Sequence, residues 1–524
     1  MRTLVGGLAL CALLFSSCAP AGGGSTGTGG SAPGATREPA RAAQQVLRVG
    51  TNALPATMSP ESSTVNIPLY WSQFDSLVRF DKDFNVQPSV ATKWELLPDR
   101  SAWRFTIRDD LYFPNGQQLT AADVEFTINT SIANRAAQLA LTPLLTGAKL
   151  IDEKTVDLQM SAMDVSVLIN GTDWFIFPKS YYESVGRDFG QRPMGSGPYE
   201  ISEYRPGDSV TYKLRTDRPH PFRKPNLTEI RFRAIPDSGA AVNGLRAGEV
   251  DLLIGSYSTY TPEQAENAKA AGMTVITLLP SSSYILFDRS ANEKTESPLL
   301  DKRVRLAMNY AVDRETMAKT VYKGYAQPLG QIPLPGQTAY DPNVKPYPYD
   351  VATAKRLLAE AGYPNGFKLT GGLAFPASAL NQSAFLAVQD FHRQIGIDYP
   401  IQSVEFASYQ DLIFVRNGKV RQEMMASGAQ NTNGLMAWGI LRCGQPLVYW
   451  CNPEYDRFMA QAYAELDPAR RAELFKQANK AFLEEATAII LVAQPQFTMH
   501  NPKVAGLNIV TPVFYNLDSV YRLE

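Results

Sequence analysis

The chain has 524 residues, of which 44% are hydrophobic and 19% are charged, and its formal net charge is −1. These proportions are typical of a folded globular protein, and a balanced charge without a basic patch excludes an electrostatic surface for nucleic acid. Roughly 480 residues follow the low-complexity N-terminal segment, which is enough for two or three domains because a single core stops growing near about 250–300 residues.

The first 18 residues resemble a bacterial lipoprotein signal. Arg2 provides the charged start, an apolar core runs from Leu4 to Phe15, and Cys18 follows two serines. A core of about twelve residues is too short to span a bilayer, which needs ~20 residues. We therefore expect residues 1–17 to be a signal peptide and Cys18 to be lipidated. An ordinary signal peptide cleaved at another position is the alternative.

Residues 18–45 consist mainly of Gly, Ser, Thr, Pro and Ala and predict a disordered linker. A flexible chain of this length reaches on the order of 30 Å. No apolar run of membrane-spanning length follows the leader. The expected protein is an extracytoplasmic lipoprotein held near a cell membrane, either in the periplasm or at the outer face of the cell membrane.

Strands dominate the predicted elements up to residue 255. Residues 46–52 and the alternating segment 103–107 predict two strands, and a turn follows at Pro114-Asn115-Gly116. Thr120 begins a helix that runs to about residue 132, with Asp123 completing a capping box. Further strands are predicted at 155–160, 209–213, 229–234 and 250–254.

Helices become frequent after residue 300. Helical periodicity covers 300–312, Asp313 caps a helix to about residue 323, and Asp350 caps a helix over 351–361 that ends at Gly362. The last predicted elements are helices at 453–466 and 468–485 and a strand at 488–492. Because strands and helices alternate along the whole chain, the expected fold class is mixed α/β.

The cysteines and histidines argue for one disulfide and against a metal site. Cys443 and Cys451 are the two cysteines outside the leader. Disulfides persist in exported proteins, so this pair predicts one small loop, with free buried thiols as the alternative. The histidines at 220, 392 and 500 are far apart and show no zinc-ligand spacing, so no metal and no cofactor is expected.

An exported hydrolase is the main rival from another class of protein. It would need a nucleophile with an oriented base, or a pair of carboxylates. No Gly-x-Ser-x-Gly motif occurs, and the candidate nucleophile is Ser196 within Gly195-Ser196-Gly197-Pro198. A tight turn before a strand explains these small residues better, although the many acidic residues leave a carboxylate pair open. We expect that the protein is not an enzyme.

Several segments carry a family resemblance that covers the chain after residue 46. They are Ala91–Leu96, Trp103–Gly116, Leu119–Val124, Gly195–Tyr199, Asp301–Arg314, Ala354–Gly366 and Trp450–Tyr455. In this order and spacing they resemble the extracellular solute-binding proteins of peptide/nickel-type ABC transporters, family 5. The resemblance implies an α/β clamp of the periplasmic-binding-protein type with two lobes. Lobe I would comprise residues 46–285 and 495–524, with an inserted subdomain at about 85–195, and lobe II residues 286–494.

The resemblance also implies how such a protein would work. Two crossing strands, near residues 283–286 and 492–497, would form the hinge. A monomer would capture a small solute between the closing lobes and deliver it to the permease subunits of an ABC importer, without making or breaking a bond. An exported receptor or chaperone that has this fold but no transporter remains the alternative.

The segment 427–438 bears on the kind of ligand. Family members that bind peptide amines place an aspartate in the corresponding stretch, whereas this chain carries amides. Burying an unpaired cation is costly, so this departure argues against a dipeptide with a free amine. Gln430, Asn431 and Asn433 suit hydroxyls, amides, carboxylates or carbonyls, or else they form a polar turn beside the cleft.

Five further residues are candidates for the cleft. Ser282 and Tyr284 lie where the crossing strand would pass the cleft floor, and Trp438 either stacks on the ligand or belongs to the core. Tyr70 and Phe375 are the other aromatic candidates. The expected solute is an oligopeptide, an oligosaccharide or an opine-like compound. Blocked peptides and metal chelates stay open, and bare nickel is disfavoured because thiol and histidine ligands are scarce.

Overall fold

The computed structural model describes most of the chain after residue 39. The described residues are 40–62, 67–81, 85–134, 142, 144–255, 259–374, 379–403, 423–430, 443, 450–511 and 514–524. The predicted leader, Cys18 and most of the linker lie outside them.

A mixed sheet with eleven described strands runs through the fold. Numbered in chain order and given in the order in which they pair, its strands are β17 (Ile401–Ser403), β15 (Gly372–Ala374), β18 (Met424–Gln430), β12 (Thr274–Phe287), β19 (Ala488–His500), β11 (Leu252–Ile254), β1 (Val46–Thr51), β10 (Glu229–Ala234), β9 (Ser209–Leu214) and β8 (Tyr199–Arg205), with β13 (Gln327–Pro328) beside β19. The expected α/β class is confirmed.

The two longest strands lie in the middle of this order and cross between two parts of the fold. β12 has 14 residues and β19 has 13, and they pair antiparallel. Strands from the first half of the chain extend the sheet on the side of β19, and strands from residues 372–430 extend it on the side of β12. The sequence predicted β19 only over 488–492. The local pattern stopped there because buried polar residues interrupt the apolar run, whereas the family resemblance placed a crossing strand near 492–497, and the strand continues to His500.

Separate hydrophobic cores contact the two ends of these strands. Residues 284–287 and 488–493 belong to one core, together with helices from the second half of the chain and with the smaller sheet and neighbouring residues within 77–176. At the opposite ends, Val275, Phe497 and Met499 pack in another core with residues 241–268. A strand pair shared by two separate cores is expected of a two-lobe fold with crossing strands.

A smaller sheet lies within the predicted inserted subdomain. In pairing order its strands are β4 (Ala91–Leu96), β5 (Ala102–Ile107), β7 (Thr155–Met160) and β6 (Leu145–Asp152). Helix α2 (Ala121–Ala133) packs on β6, where Asn129 Nδ2 donates to the carbonyl of Ala148 at 2.9 Å. Its capping box forms as predicted, since the N–H of Thr120 donates to Asp123 Oδ2 at 2.9 Å.

The other described strands form short ladders. They are β2 (Val78–Phe80) with β3 (Val86–Pro88), β14 (Phe367–Lys368) with β16 (Ile397–Asp398), β20 (Val504–Ala505) with β23 (Tyr521–Arg522), and β21 (Asn508–Thr511) with β22 (Phe514–Asn516). The remaining α-helices are α1 (Ile67–Gln73), α3 (Ser166–Asn170), α4 (Lys179–Val185), α5 (Ser238–Arg246), α6 (Pro262–Ala270), α7 (Arg289–Thr295), α8 (Lys302–Tyr310), α9 (Arg314–Thr320), α10 (Val351–Glu360), α11 (Ala379–Arg393), α12 (Pro453–Ala464) and α13 (Pro468–Glu484).

Polar caps set the start of most of these helices. Asp350 accepts the N–H of Thr353 at 2.9 Å, and Asp467 accepts that of Arg470 at 2.8 Å, as N-cap residues do. The prediction of one helix over 300–312 was wrong at its start. Pro298–Leu300 forms a 3₁₀ turn, and Asp301 caps a helix that begins one residue later, because its carboxylate accepts the N–H of Arg303 at 2.8 Å.

Candidate functional site

The crossing strands carry a short polar segment where they pass between the two cores. Ser281, Ser282 and Ser283 interrupt the otherwise apolar middle of β12. The register between β12 and β19 shifts on either side of this segment, between Leu278 and Ser281 and between Ser283 and Tyr284. Such irregularities bend a strand and re-aim its side chains, and they are common beside binding sites.

A row of polar residues crosses three strands at this point. Ser281 of β12 lies opposite Gln430 of β18 on one side and Gln494 of β19 on the other. Gln494 Nε2 donates to Ser281 Oγ at 3.2 Å. Gln494 is 2% exposed, and its Oε1 has no hydrogen-bond partner among the described residues. Buried polar atoms are normally paired, so this oxygen is available to a ligand donor.

The sequence missed Ser281 and Gln494 as candidates. Ser281 is adjacent to Ser282 and pairs with Gln430, which the sequence did select, whereas Gln494 pairs with Ser281. The available signal was two glutamines, Gln494 and Gln496, within an apolar strand. Pairing across three strands, which links residues 281, 430 and 494, is a property of the sheet and cannot be read from local sequence.

The predicted cleft residues on β12 are fully buried. Ser282 is 0% exposed, and its Oγ has no partner among the described residues. Tyr284 is 1% exposed and belongs to the core that also contains residues 488–493. Both residues therefore lie at the hinge, Ser282 in the bent polar segment and Tyr284 directly after it.

Tyr70 lies in an aromatic cluster of the first half of the chain. It is 1% exposed, and its ring centroid lies 6.3 Å from that of Phe74 and 5.7 Å from that of Phe175. Its hydroxyl faces the carbonyl of Ser59 at 3.5 Å. Tyr70 therefore belongs to the core of the first half of the chain that also contains Phe74 and Phe175.

Most of the other predicted ligand contacts lie outside the described residues. Phe375, Asn431, Asn433 and Trp438 lie outside the described residues, and Gln430 is described by its place in β18, opposite Ser281. Cys443 and Cys451 are joined by a disulfide, with their Cα atoms 4.8 Å apart.

Ser196 belongs to a buried polar cluster whose geometry differs from that of a catalytic triad. Its Oγ donates to Asp75 Oδ2 at 2.8 Å, and His220 Nε2 lies 3.0 Å from the same oxygen. His220 Nδ1 accepts the main-chain N–H of Arg223 at 3.2 Å, so the proton of the neutral ring is on Nε2 and faces Asp75. Neither ring nitrogen is therefore free to take a proton from Ser196, as a general base must.

The carboxylate of Asp75 has several partners in this cluster. Asp75 is 3% exposed, and Arg223 Nη1 lies 3.6 Å from its Oδ1. Burial by itself would raise the pKa of Asp75, but the His220 ring, Arg223 and the Ser196 hydroxyl together hold that pKa well below its ordinary value. Arg223 also pairs with Asp518 at 2.7 Å. The cluster therefore ties together segments that are distant in the sequence.

Small residues allow the chain to approach this cluster. The N–H of Gly197 donates to the carbonyl oxygen of Gln73 at 2.8 Å. A Cβ atom on Gly197 would lie 2.7 Å from that oxygen, and one on Gly195 would collide with it as well. The expected tight passage of Gly195-Ser196-Gly197-Pro198 is thus explained by packing against the end of helix α1.

The described residues contain neither a metal-ligand cluster nor a membrane-spanning helix. Within the part of the chain that the structure describes, no group of three or more histidine, cysteine, aspartate or glutamate side chains is placed to hold a metal ion. Among the same residues, no helix combines the length and the apolar character needed to cross a bilayer.

Comparison with known proteins identifies the family. The sequence profile described as bacterial extracellular solute-binding proteins, family 5 Middle, matches residues 85–437. This chain belongs to family 5 of the bacterial extracellular solute-binding proteins. The glutathione-binding protein GsiB of Shigella boydii is 25% identical to this family 5 protein over 495 residues, which cover 90% of this chain and 93% of GsiB.

Solved structures share the fold of this family 5 protein. The periplasmic binding protein DppA of Helicobacter pylori, in complex with the peptide STSA, has a TM-score of 0.78 at 24% identity, covering 91% of this chain and 98% of DppA. NikA of Brucella suis, in complex with Fe(III)-EDTA, also has a TM-score of 0.78, at 22% identity, covering 91% and 99% of the two chains. The two-lobe fold expected from the sequence is thereby confirmed.

Proposed function

We propose that this family 5 protein is the substrate-binding component of an ABC importer. It captures a small polar solute, such as an oligopeptide, an oligosaccharide or an opine-like compound, between two closing lobes and delivers it to membrane permease subunits. The observation that carries this proposal is the polar, bent segment at Ser281–Ser283, beside Gln494, where two long strands pass from one core to another.

The closing motion follows from this arrangement. In the proposal, lobe I comprises residues 46–285 and 495–524, and lobe II residues 286–494. A solute that contacts both lobes only when they are closed shifts the equilibrium towards the closed form by its difference in affinity for the two forms. The crossing strands are the natural hinge because they connect the two cores.

The proposed ligand contacts combine the sequence candidates with the row at the hinge. They are Tyr70, Ser281, Ser282, Tyr284, Phe375, Gln430, Asn431, Asn433, Trp438 and Gln494. Neutral amides and hydroxyls dominate this set, and they suit a ligand that offers hydroxyl, amide or carbonyl groups.

We further propose that residues 1–17 are removed and that Cys18 carries the lipid anchor. Residues 18–45 would then hold a monomeric binding protein near its permease outside the cytoplasm. Tethering raises the local concentration of the loaded protein at the permease, which favours repeated delivery.

Thermal shift against a solute library tests the binding function. A solute that binds the folded protein raises its Tm, and at 100 times its Kd the stabilisation is about 2.7 kcal/mol. Blocked and free peptides, opines, oligosaccharides and metal chelates form the library. We expect at least one of these classes to raise the Tm in a concentration-dependent manner, and a flat response across all of them would contradict the proposal.

Replacing Gln494 with methionine should weaken the affinity for the solute found by thermal shift by about fivefold or more, since one hydrogen bond contributes roughly 1 kcal/mol. Gln331→Met is the matched control. Gln331 is also buried, but its amide is fully engaged, with Nε2 donating to the carbonyl of Asp341 at 2.6 Å and Oε1 accepting from Asn479 at 2.8 Å. The control variant should lose stability and keep its affinity. Equal affinities of Gln494→Met and wild type would remove Gln494 from the site.

Replacing Ser196 with alanine separates binding from hydrolysis. We expect the variant to keep its solute affinity and to lose about 1 kcal/mol of stability, because one hydrogen bond to Asp75 disappears. Isothermal titration and urea denaturation measure the two quantities. A hydrolytic activity of the wild type that this substitution abolishes would support the rival hydrolase instead.

A further inference from the structure

A pocket in the first half of the chain contains a buried carboxyl group that forms no ion pair with any residue that the structure describes. The pocket lies between the 3₁₀ turn Pro60–Ser62, helix α2 and residues 173–177. Asp173 and Glu61 are the acidic residues in its described wall, beside the aromatic rings of Trp174 and Phe177.

Asp173 is the unusual member of this wall. It is 8% exposed, and the hydroxyl of Thr172 lies 3.4 Å from its Oδ1. No lysine, arginine or histidine of the described residues forms an ion pair with it. Burial raises the pKa of Asp173 to about 7, because only the weak Thr172 contact favours the charged form.

The other buried aspartates of this half of the chain are compensated. Asp251 binds Arg48 through two side-chain contacts at 2.7 and 2.9 Å, and Asp75 binds His220 at 3.0 Å. Asp123 lacks an ion pair but accepts two main-chain N–H groups at 2.9 Å. A structural carboxylate in this protein is thus surrounded by donors. Asp173 lacks them, as a binding carboxylate does before its ligand arrives.

Two neighbouring groups point to the same conclusion. Glu61 is partly buried, and among the described residues its carboxylate contacts neutral donors, including Asn134 Nδ2 at 3.4 Å and the Tyr182 hydroxyl at 3.3 Å. Trp174 is 4% exposed, and its Nε1–H has no acceptor among the described residues. The pocket therefore offers negative charge and one unused N–H donor in an aromatic wall.

We infer that this pocket is a subsite for a cationic group of the solute, an ammonium or a guanidinium, held by Asp173 with Glu61 nearby. The inference rests on the proposed solute-binding function and names a chemical class of ligand. A cation would supply the missing charge partner of Asp173, and the rings of Trp174 and Phe177 would contact it through their faces. An oxygen next to the cation would accept the Trp174 N–H.

This subsite changes the ligand class expected from residues 427–438. The amides of that segment argued against a free amine because they leave an ammonium without a charge partner. Asp173 lies in a different part of the chain and provides one. A solute with a positively charged nitrogen is therefore compatible with this family 5 protein.

Binding of matched probes tests the inference. The probes are alanyl-alanine with a free and with an acetylated amino terminus, and the pair glycyl-arginine and glycyl-citrulline, measured by isothermal titration at pH 8 with the full-length protein. We expect the wild type to bind at least one cationic member tenfold or more tightly than its neutral partner. Asp173→Asn should abolish that preference, and Asp217→Asn, which removes an exposed carboxylate outside this pocket, should keep it.

The pH dependence of Tm provides a readout that needs no ligand. A carboxyl with a raised pKa keeps its proton in the folded state between pH 4 and 7, where the unfolded state has lost it, so stability falls as pH rises through this window. Glu61 is the other titratable residue in the described wall, and its pKa is also raised by burial. The Tm of Asp173→Asn minus that of wild type should therefore increase by a few degrees from pH 4 to pH 8.

The outcomes distinguish this inference from the function on which it rests. If neutral solutes bind and cationic probes do not, or if Asp173→Asn keeps the preference for the cation, the subsite is refuted while solute binding stands. A Tm difference that is constant with pH would refute the uncompensated carboxyl itself. If no solute of any class binds, the proposed function fails and this inference fails with it.

Discussion

Replacing Gly197 with alanine is expected to lower the free energy of unfolding by roughly 2–3 kcal/mol, the upper range for overpacking a close contact. The added Cβ would lie 2.6 Å from the carbonyl carbon and 2.7 Å from the carbonyl oxygen of Gln73. These are main-chain atoms, and the same oxygen accepts the N–H of Gly197 at 2.8 Å. The two segments cannot separate without losing that hydrogen bond. Urea denaturation followed by circular dichroism measures the change.

The matched control is Gly244→Ala in helix α5. There the nearest atom to an added Cβ is Glu249 Oε2 at 3.5 Å, an ordinary contact. Alanine is favoured over glycine inside a helix by about 0.5–1 kcal/mol, so this variant should be more stable than wild type. A Gly197→Ala variant with wild-type stability would show that the close approach to Gln73 does not constrain the fold.

Replacing Asp75 with asparagine is expected to cost about 3–5 kcal/mol, the range for breaking a buried charge pair by removing one partner. The carboxylate accepts Ser196 Oγ at 2.8 Å and faces His220 Nε2 at 3.0 Å and Arg223 Nη1 at 3.6 Å. Without it, the buried guanidinium of Arg223 keeps Asp518 as its one ion-pair partner among the residues that the structure describes. Because the segments around Asp75, Ser196 and His220 meet here, the loss should lower the Tm of the whole first lobe.

The pH dependence of this effect has a defined sign. The folded-state pKa of Asp75 lies below that of the unfolded state, so its contribution to stability is present above about pH 4 and is lost as pH falls through the folded-state pKa. Wild type should therefore lose stability below pH 4 more steeply than Asp75→Asn. A difference between the two proteins that does not shrink at acidic pH would contradict the assignment.

Asp217→Asn is the control for this substitution. Asp217 also pairs with an arginine, Arg215 Nη2 at 2.8 Å, but its side chain is 48% exposed. Exposed ion pairs contribute about 0–1 kcal/mol because solvent screens them, so this variant should be nearly as stable as wild type. Neither substitution touches the row at Ser281 and Gln494, and the solute affinity of the folded variants should be unchanged.

The local signals in the sequence set the start of several elements. Thr120 with Asp123, Asp350 and Asp467 begin helices at the predicted positions because capping depends on residues only three apart. The strands at 155–160 and 229–234 lie where they were predicted for a similar reason, since the alternation of apolar and polar residues that indicates a strand needs only about six residues. The family resemblance added the two-lobe arrangement.

Only the tertiary structure decided where distant polar groups meet. Ser281, Gln430 and Gln494 form a row because three strands pair in one register, and that register depends on packing on both sides of the sheet. Asp75 meets Ser196 and His220 across sequence separations of 121 and 145 residues. Asp173 reads as an ordinary acidic residue in the sequence, and it becomes a candidate ligand contact only because the fold buries it away from every described cation. Helix caps and periodicity are properties of short stretches, so the sequence could predict the helices and strands. Burial and pairing between remote segments are properties of the packed chain, so the polar row and the environment of Asp173 could not be predicted.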